Sequence, residues 1–198
     1  PLDRRAEATG DVNPHKGSEP AVSFYTHVSD RYAPFHAKVI SATAGEAAHV
    51  LDGLLYHAAD LNIREHHTDG GGVSDHVFAL CHLLGFRFAP RIPNLAARRL
   101  YLFDGLAPGP AIEPLVAGKI DAKLIAAHWD EVLRLAASIR TGVVGASLML
   151  KRLGSYPRQN GLALALREIG RLERTLFTLD WIEQPEQRRR TTRELNKG

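Results

Sequence analysis

Glu65-His66-His67-Thr68-Asp69-Gly70-Gly71-Gly72-Val73-Ser74-Asp75-His76-Val77-Phe78-Ala79-Leu80-Cys81-His82-Leu83-Leu84-Gly85-Phe86-Arg87-Phe88-Ala89-Pro90 is the stretch that decides the fold. Leu61 to Thr68 reads as a strand, more polar than a buried one usually is. Gly70-Gly71-Gly72 then breaks the chain sharply. Ser74 is a helix-capping residue, Val77, Phe78, Cys81 and Leu84 make an apolar helical stripe, and Gly85 is placed to end it. Phe86 to Ala89 returns as a short strand before Pro90.

Upstream, residues 1–20 are rich in Gly, Pro, Asp, Asn and Ser and read as an irregular lead-in. Val22, Phe24, Thr26 and Val28 alternate with Ser23, Tyr25 and His27, which is strand period. Ser29-Asp30-Arg31 makes a turn, and Phe35 to Ala42 forms a second strand through Val39 and Ile40. Thr43 and Glu46 have capping-box spacing. The helix they open carries Ala47, Val50, Leu51, Leu54 and Leu55 on one face. An early hairpin followed by helix–strand alternation predicts an α/β sandwich around a mixed sheet.

Downstream, residues 93–118 form a Pro/Gly-rich connection, and everything beyond reads as helix. Leu124, Ile125, Trp129, Val132, Leu133, Ala136 and Ile139 repeat at helical spacing, and a shorter apolar segment runs from Val143 to Leu153. After Pro157 and Asn160-Gly161, the stripe Leu162, Leu166, Ile169, Leu172, Leu176 and Leu179 marks a long helix toward Pro185. Arg167, Arg171 and Arg174 fall at i, i+4 and i+7 on its exposed face. The expected divisions are therefore 1–20, an α/β part at 21–92, the connection at 93–118, and a helical region at 119–198.

The 198 residues are 44% apolar, enough to close a core in one domain or a domain and a half. The single cysteine, Cys81, excludes a disulfide framework and a four-cysteine zinc site. No apolar run approaches the ~20 residues of a membrane span. The start at Pro1-Leu2-Asp3 is unlike a signal peptide, and the missing initiator Met reads as a processed chain or a fragment. A reducing cytoplasm is the expected compartment. Charge is uneven: through residue 133 there are 12 Lys/Arg against 16 Asp/Glu, and from Arg134 onward 13 against 6. All 10 histidines lie at or before His128, so the basic half is basic through permanent charge. A polyanion partner and a set of solvated helix faces both fit.

Asp69, at the end of a strand and before glycines, sits where α/β folds place ligands. Its carboxylate suits Mg²⁺, and a second strand-end carboxylate would complete a site for phosphoryl transfer. A turn aspartate capping local amides is the other reading. A zinc site from His66, His67, His76, His82 and Cys81 fails on geometry. Strand neighbours face opposite sides, and helix positions six apart point about 600° round the axis from one another. No Gly-x-Ser-x-Gly elbow surrounds Ser74, and the glycine run lacks a following Gly-Lys-Ser/Thr. Lys151, Arg152, Tyr156, Arg158, Gln159 and Asn160 lie between two helices. They combine phosphate-neutralising cations, a stacking aromatic and amides that reach groove edges, or else form an ordinary helix–helix connection. Arg188-Arg189-Arg190 reads as a solvated face.

Four stretches together resemble a known family. They are Phe24-Tyr25-Thr26-His27-Val28-Ser29-Asp30 running through to Lys38-Val39-Ile40-Ser41-Ala42, and His67-Thr68-Asp69 running into Leu83-Leu84-Gly85-Phe86-Arg87-Phe88-Ala89-Pro90-Arg91. The others are Ala127-His128-Trp129-Asp130 with Ser147 to Leu162, and Leu195-Asn196-Lys197-Gly198. In these words, from about residue 18 onward, the chain resembles the catalytic region of replicative transposases of the Tn-three family.

The resemblance implies an RNase H-like mixed sheet with a mostly helical insertion, and an Asp-Asp-Glu triad using Mg²⁺ or Mn²⁺. It implies DNA as partner, both transposon ends and target, with nicking that exposes 3′-hydroxyls and joining of these to target DNA. It further implies a homo-oligomer in the full-length protein and a nucleoid-associated, cytoplasmic location without membrane contact. Asp69 matches the family's second aspartate. The word carrying the first aspartate would precede this chain and the glutamate would follow Gly198, so the segment is expected to be inactive alone. Lys151, Arg152, Tyr156, Arg158, Gln159, Asn160, Arg167, Arg171 and Arg174 are the expected DNA contacts. Two rivals stay open: another RNase H-like nuclease, and a non-catalytic DNA-binding or assembly remnant.

Overall fold

A computed structural model describes residues 11–12, 18–41, 45–155 and 160–197. Strands β1 (Asp11–Val12), β2 (Pro20–Val28) and β3 (Pro34–Ser41) form an antiparallel sheet in that order, with Phe24 opposite Val39 and His27 opposite His36. The alternation along β2 is real, but its buried phase is the polar one. Tyr25 and His27 turn inward, while Phe24 is 72% exposed and Val22 and Val39 lie beside it on the outer face.

A 3-10 turn at Glu46–Ala48 leads into α1 (Val50–Leu55), which buries Val50, Leu51 and Leu54. Thr43, the other half of the expected capping box, lies outside the described residues. Strand β4 (Glu65–Thr68) is half the length its sequence suggests, because it pairs only with the four residues Arg87–Pro90. Helix α2 (Asp75–Leu84) follows. Ser74 caps it by accepting from the Val77 amide at 3.2 Å, and Gly85, in the left-handed region at φ 85°, ends it. Strand β5 (Arg87–Pro90) runs parallel to β4.

Within the Pro/Gly-rich stretch, β6 (Leu100–Leu102) pairs in parallel with β7 (Val116–Lys119). Five helices follow: α3 (Ala122–Ala127), α4 (Trp129–Arg140), α5 (Ala146–Ser155), α6 (Gly161–Glu183) and α7 (Pro185–Leu195). The single stripe expected over 124–139 is two helices, interrupted at His128, whose ring is wedged against Gly161 at the start of α6. Trp129 and Leu133 consequently face solvent. None of the described helices is long and apolar enough to cross a membrane.

The architecture is mixed α/β, but the described strands form three separate small sheets instead of one mixed sheet. Beyond Ala21 one edge of β2 has no strand partner among the described residues, and neither has the edge of β4 away from β5. A groove lined by residues of β2 and β4 lies between them. What unites the fold is a core running from Val50 and Leu51 through α2 and Phe88 to Leu166, Ile169 and Trp181. Each such side chain contributes about 1.5–3 kcal/mol on burial, so the helical region and the α/β part share one apolar interior.

Candidate functional site

Asp69 directly follows β4, at the carboxyl end of the parallel β4–β5 pair. It is exposed and lines the groove between β2 and β4, whose volume is about 660 Å³. One carboxylate oxygen, Oδ1, accepts from the Gly71 amide at 3.0 Å, which fixes the side chain in a tight turn. A side chain on Gly71 would meet acidic oxygens. A Cβ there would lie 2.7 Å from Glu46 Oε2 and 3.4 Å from Asp69 Oδ1, so two carboxylates converge on one backbone position. Spacing gave no hint of Glu46, which arrives from a separate turn 23 residues upstream. Tyr25 reaches the same corner from β2. Its hydroxyl is raised above its ordinary pKa by burial first, then by the charges of Glu46 and Asp69.

Behind this corner the groove wall is histidine. His27 Nε2–H donates to the Val50 carbonyl at 3.0 Å, and its ring lies 5.3 Å from that of His66, which stacks on Phe88. Burial pushes His27 down to about 4 and His66 down to about 3, so both are neutral near pH 7. On its other side Glu65 is engaged with Arg190 at 2.9 Å, Arg87 at 3.4 Å and His67 at 3.6 Å. Burial would raise the Glu65 carboxyl, but His67 and the two guanidiniums outweigh it and hold it low.

Carboxylates of this kind suit a hard divalent ion, which is commonly held by one or two carboxylates, water and substrate phosphates. Asp69 and Glu46, converging on Gly71, fit that donor set. Among the described residues no group of three or more His, Cys, Asp or Glu side chains is arranged to hold an ion. The zinc candidates are used elsewhere. His76 bonds the Ala163 carbonyl at 3.0 Å, His82 pairs with Glu173 at 3.2 Å, and Cys81 is fully buried with its thiol pushed up by desolvation.

The basic positions separate by environment. Lys151 and Arg152 are exposed on the last turns of α5. Asn160 caps α6, accepting from the Ala163 amide at 3.4 Å, and Tyr156, Arg158 and Gln159 lie outside the described residues. On α6, Arg171 and Arg174 do not stand on a free face. Arg174 pairs with Asp75 at 3.0 Å, Arg171 with Glu168 at 2.6 Å, and the Arg171 guanidinium sits 4.3 Å over the Tyr101 ring. Arg167 approaches Glu168 at 4.0 Å.

Against known proteins, the family described as "Tn3 transposase DDE domain" matches over residues 3–198. The chain is 59% identical to the transposase for transposon Tn501 of Pseudomonas aeruginosa, and 58% identical to that for transposon Tn21 of Escherichia coli, over 98% of its own length in each case. The transposase for transposon gamma-delta of Escherichia coli (strain K12) is 34% identical over 96% of the chain. These matches cover 20%, 20% and 19% of the relatives, so the chain spans about a fifth of their length. With its whole described fold inside the matched span, the chain belongs to the Tn3 transposase DDE domain family.

Proposed function

We propose that this chain supplies part of the phosphoryl-transfer centre of a DNA transposase, with Asp69 as its metal-holding carboxylate. The observation that carries the reading is the exposed Asp69 carboxylate at a parallel strand end, facing an open groove with Glu46 beside it. Asp69 and Glu46 would hold a divalent ion, Mg²⁺ or Mn²⁺. When bound, that ion supplies Lewis-acid polarisation of a phosphate oxygen and a template for in-line attack. Tyr25, kept protonated by burial and two neighbouring carboxylates, is a hydrogen-bond donor at the same corner. The neutral His27 and His66 wall adds no positive charge to compete for the carboxylates.

The finer fold reading is RNase H-like: a further strand entering between the open edges of β2 and β4 would join the ladders into one sheet and bring a second acidic residue to Asp69. Lys151 and Arg152 are the proposed DNA contacts, because both are exposed on the last turns of α5. With two convergent carboxylates and no third donor among the described residues, the chain by itself is expected to show no Mg²⁺-dependent DNA cleavage above background.

The test is Mn²⁺ binding followed by electron paramagnetic resonance, with and without a duplex oligonucleotide. Wild type is expected to bind Mn²⁺ in the presence of DNA, and Asp69→Asn to lose that binding at least tenfold. Equal binding by Asp69→Asn would return Asp69 to a turn-capping role.

A further inference from the structure

The β2–β3 turn holds the one non-glycine residue among those described with a left-handed backbone, Tyr32, at φ 62°. Its amide donates to the Ser29 carbonyl at 3.1 Å while the Ser29 amide donates to Ala33, so the turn is closed around it. A bulky side chain pays for this conformation, and glycine or asparagine would serve the turn better. The tyrosine nevertheless stands 68% exposed. It faces an open depression of about 570 Å³, whose other walls include Arg188, Arg189, Arg193, Asn196 and Lys197 of α7 and its end.

Arg188 is locked by donating to the Trp181 and Ile182 carbonyls at the end of α6. Arg189 pairs with Glu186, Arg193 with Glu194 at 3.3 Å, and Lys197 with Glu194 at 2.6 Å. The Arg189 and Arg193 side chains are exposed, so their pairs are worth about 0–1 kcal/mol each, whereas the Lys197–Glu194 pair is half-buried. Three cations thus meet two carboxylates beside one exposed ring, and Arg188 adds a fourth positive charge held on backbone carbonyls. Lys197 also lines the groove that contains Asp69, so it borders both the depression and the groove.

We propose that this depression binds an unpaired DNA strand, with a base stacked on Tyr32 and the following phosphates led by Arg189, Arg193 and Lys197 into the Asp69 groove. An exposed aromatic among cations is the arrangement that holds single-stranded nucleic acid, since unpaired bases offer a face for stacking and paired bases do not. The inference rests on the reading of the chain as part of a DNA-acting centre, and adds to it the form of the DNA and the path it takes.

The experiment measures binding of the full chain to an oligothymidylate of about 16 nucleotides and to a duplex of the same length, by fluorescence anisotropy across a salt series. Tyr32→Ala and Tyr32→Gly are each expected to weaken single-strand binding about tenfold, with Tyr32→Phe within twofold of wild type and duplex binding within twofold for all three. Tyr32→Gly relieves the backbone conformation, so thermal melting at or above the wild-type temperature separates lost stacking from lost folding. Arg189→Ala with Arg193→Ala is expected to flatten the single-strand salt slope by about 1.4, at roughly 0.7 per phosphate. Wild-type single-strand affinity in Tyr32→Gly, or equal losses in Tyr32→Phe and Tyr32→Ala, overturns the proposal and leaves the DNA reading standing. A wild-type chain that binds neither form overturns both.

Discussion

The backbone of Asp75 occupies the space a side chain on Gly170 would need: a Cβ at Gly170 would lie 1.7 Å from the Asp75 carbonyl oxygen and 2.4 Å from its carbon. Gly170 sits in the middle of α6, where glycine is otherwise unfavourable, and Asp75 opens α2. The two helices meet at backbone contact, and this crossing seats α2 and the loop that carries Asp69.

Gly170→Ala is accordingly expected to destabilise the chain, although helix propensity alone would favour Ala by about 1 kcal/mol. The clash is with backbone, which cannot rotate away, and overpacking of this kind costs about 1–3 kcal/mol. Urea denaturation reads the difference. A rise in the midpoint would mean that the helices separate without penalty.

Acid is expected to destabilise the fold well above the carboxylate range. His27 and His66 have folded pKa values of about 4 and about 3, below the ordinary 6.5 of the unfolded chain. Between these limits the unfolded state binds protons that the folded state refuses. Stability is therefore complete above pH 6.5 and falls as pH drops through it, by about 1.4 kcal/mol per pH unit for each histidine. Asp52 and Glu65, both held below their ordinary carboxylate values, add losses only at lower pH. Melting temperatures from pH 7.5 to 5 check this, and His66→Phe, with Phe88 already stacked at that position, should reduce the slope, leaving the contributions of His27 and of His36, which burial also lowers. A flat profile would show that the rings protonate in place.

Local signals carried most of the secondary structure into view. Ser74 and Gly85 bound α2, whose stripe buries Val77, Phe78, Cys81 and Leu84 as its spacing implies. The α6 stripe buries Leu166 and Ile169 but leaves Leu176 49% exposed, its second half burying Phe177 and Trp181 instead. The position of Asp69 at a strand end before a glycine break was legible for the same reason, since strand and turn are both local. What failed was anything set by distant partners. The inward phase of β2 depends on His27 meeting the Val50 carbonyl, and Glu46 meets Asp69 only through the fold of the glycine turn. Arg171 and Arg174 have the periodicity of a solvated face, yet Asp75 and Tyr101 arrive from other elements to cover them.

Gly71→Ala is expected to separate stability from ion binding. The added methyl meets Glu46 Oε2 at 2.7 Å, the far end of a flexible side chain, so the carboxylate can swing aside. The stability cost should stay below about 1 kcal/mol, within the ordinary range for a surface substitution near no core group. Displacing Glu46 removes one of the two converging carboxylates, and Mn²⁺ affinity in the presence of DNA should fall severalfold. Unchanged Mn²⁺ affinity alongside unchanged stability would exclude Glu46 from the site.

The two groups of cations should part company when each is removed. Arg174→Ala leaves Asp75, whose carboxyl is already raised by burial, without its 3.0 Å partner, and Arg171→Ala gives up the Tyr101 ring and Glu168. Half-buried pairs of this kind exceed the exposed-pair median, so each substitution should cost about 1–2 kcal/mol of stability. Neither should much alter the salt dependence of duplex binding, because these guanidiniums are committed inside the fold. Lys151→Ala with Arg152→Ala tests the other group. Both side chains are exposed on α5, so stability should move by no more than about 0.5 kcal/mol, while the log–log salt slope flattens by about 1.8 if each neutralises one phosphate. The loss should be similar on unrelated duplexes, as phosphate contacts carry no sequence information. A slope unchanged in the Lys151/Arg152 variant but flattened in Arg174→Ala would move the DNA from the end of α5 to the flank of α6.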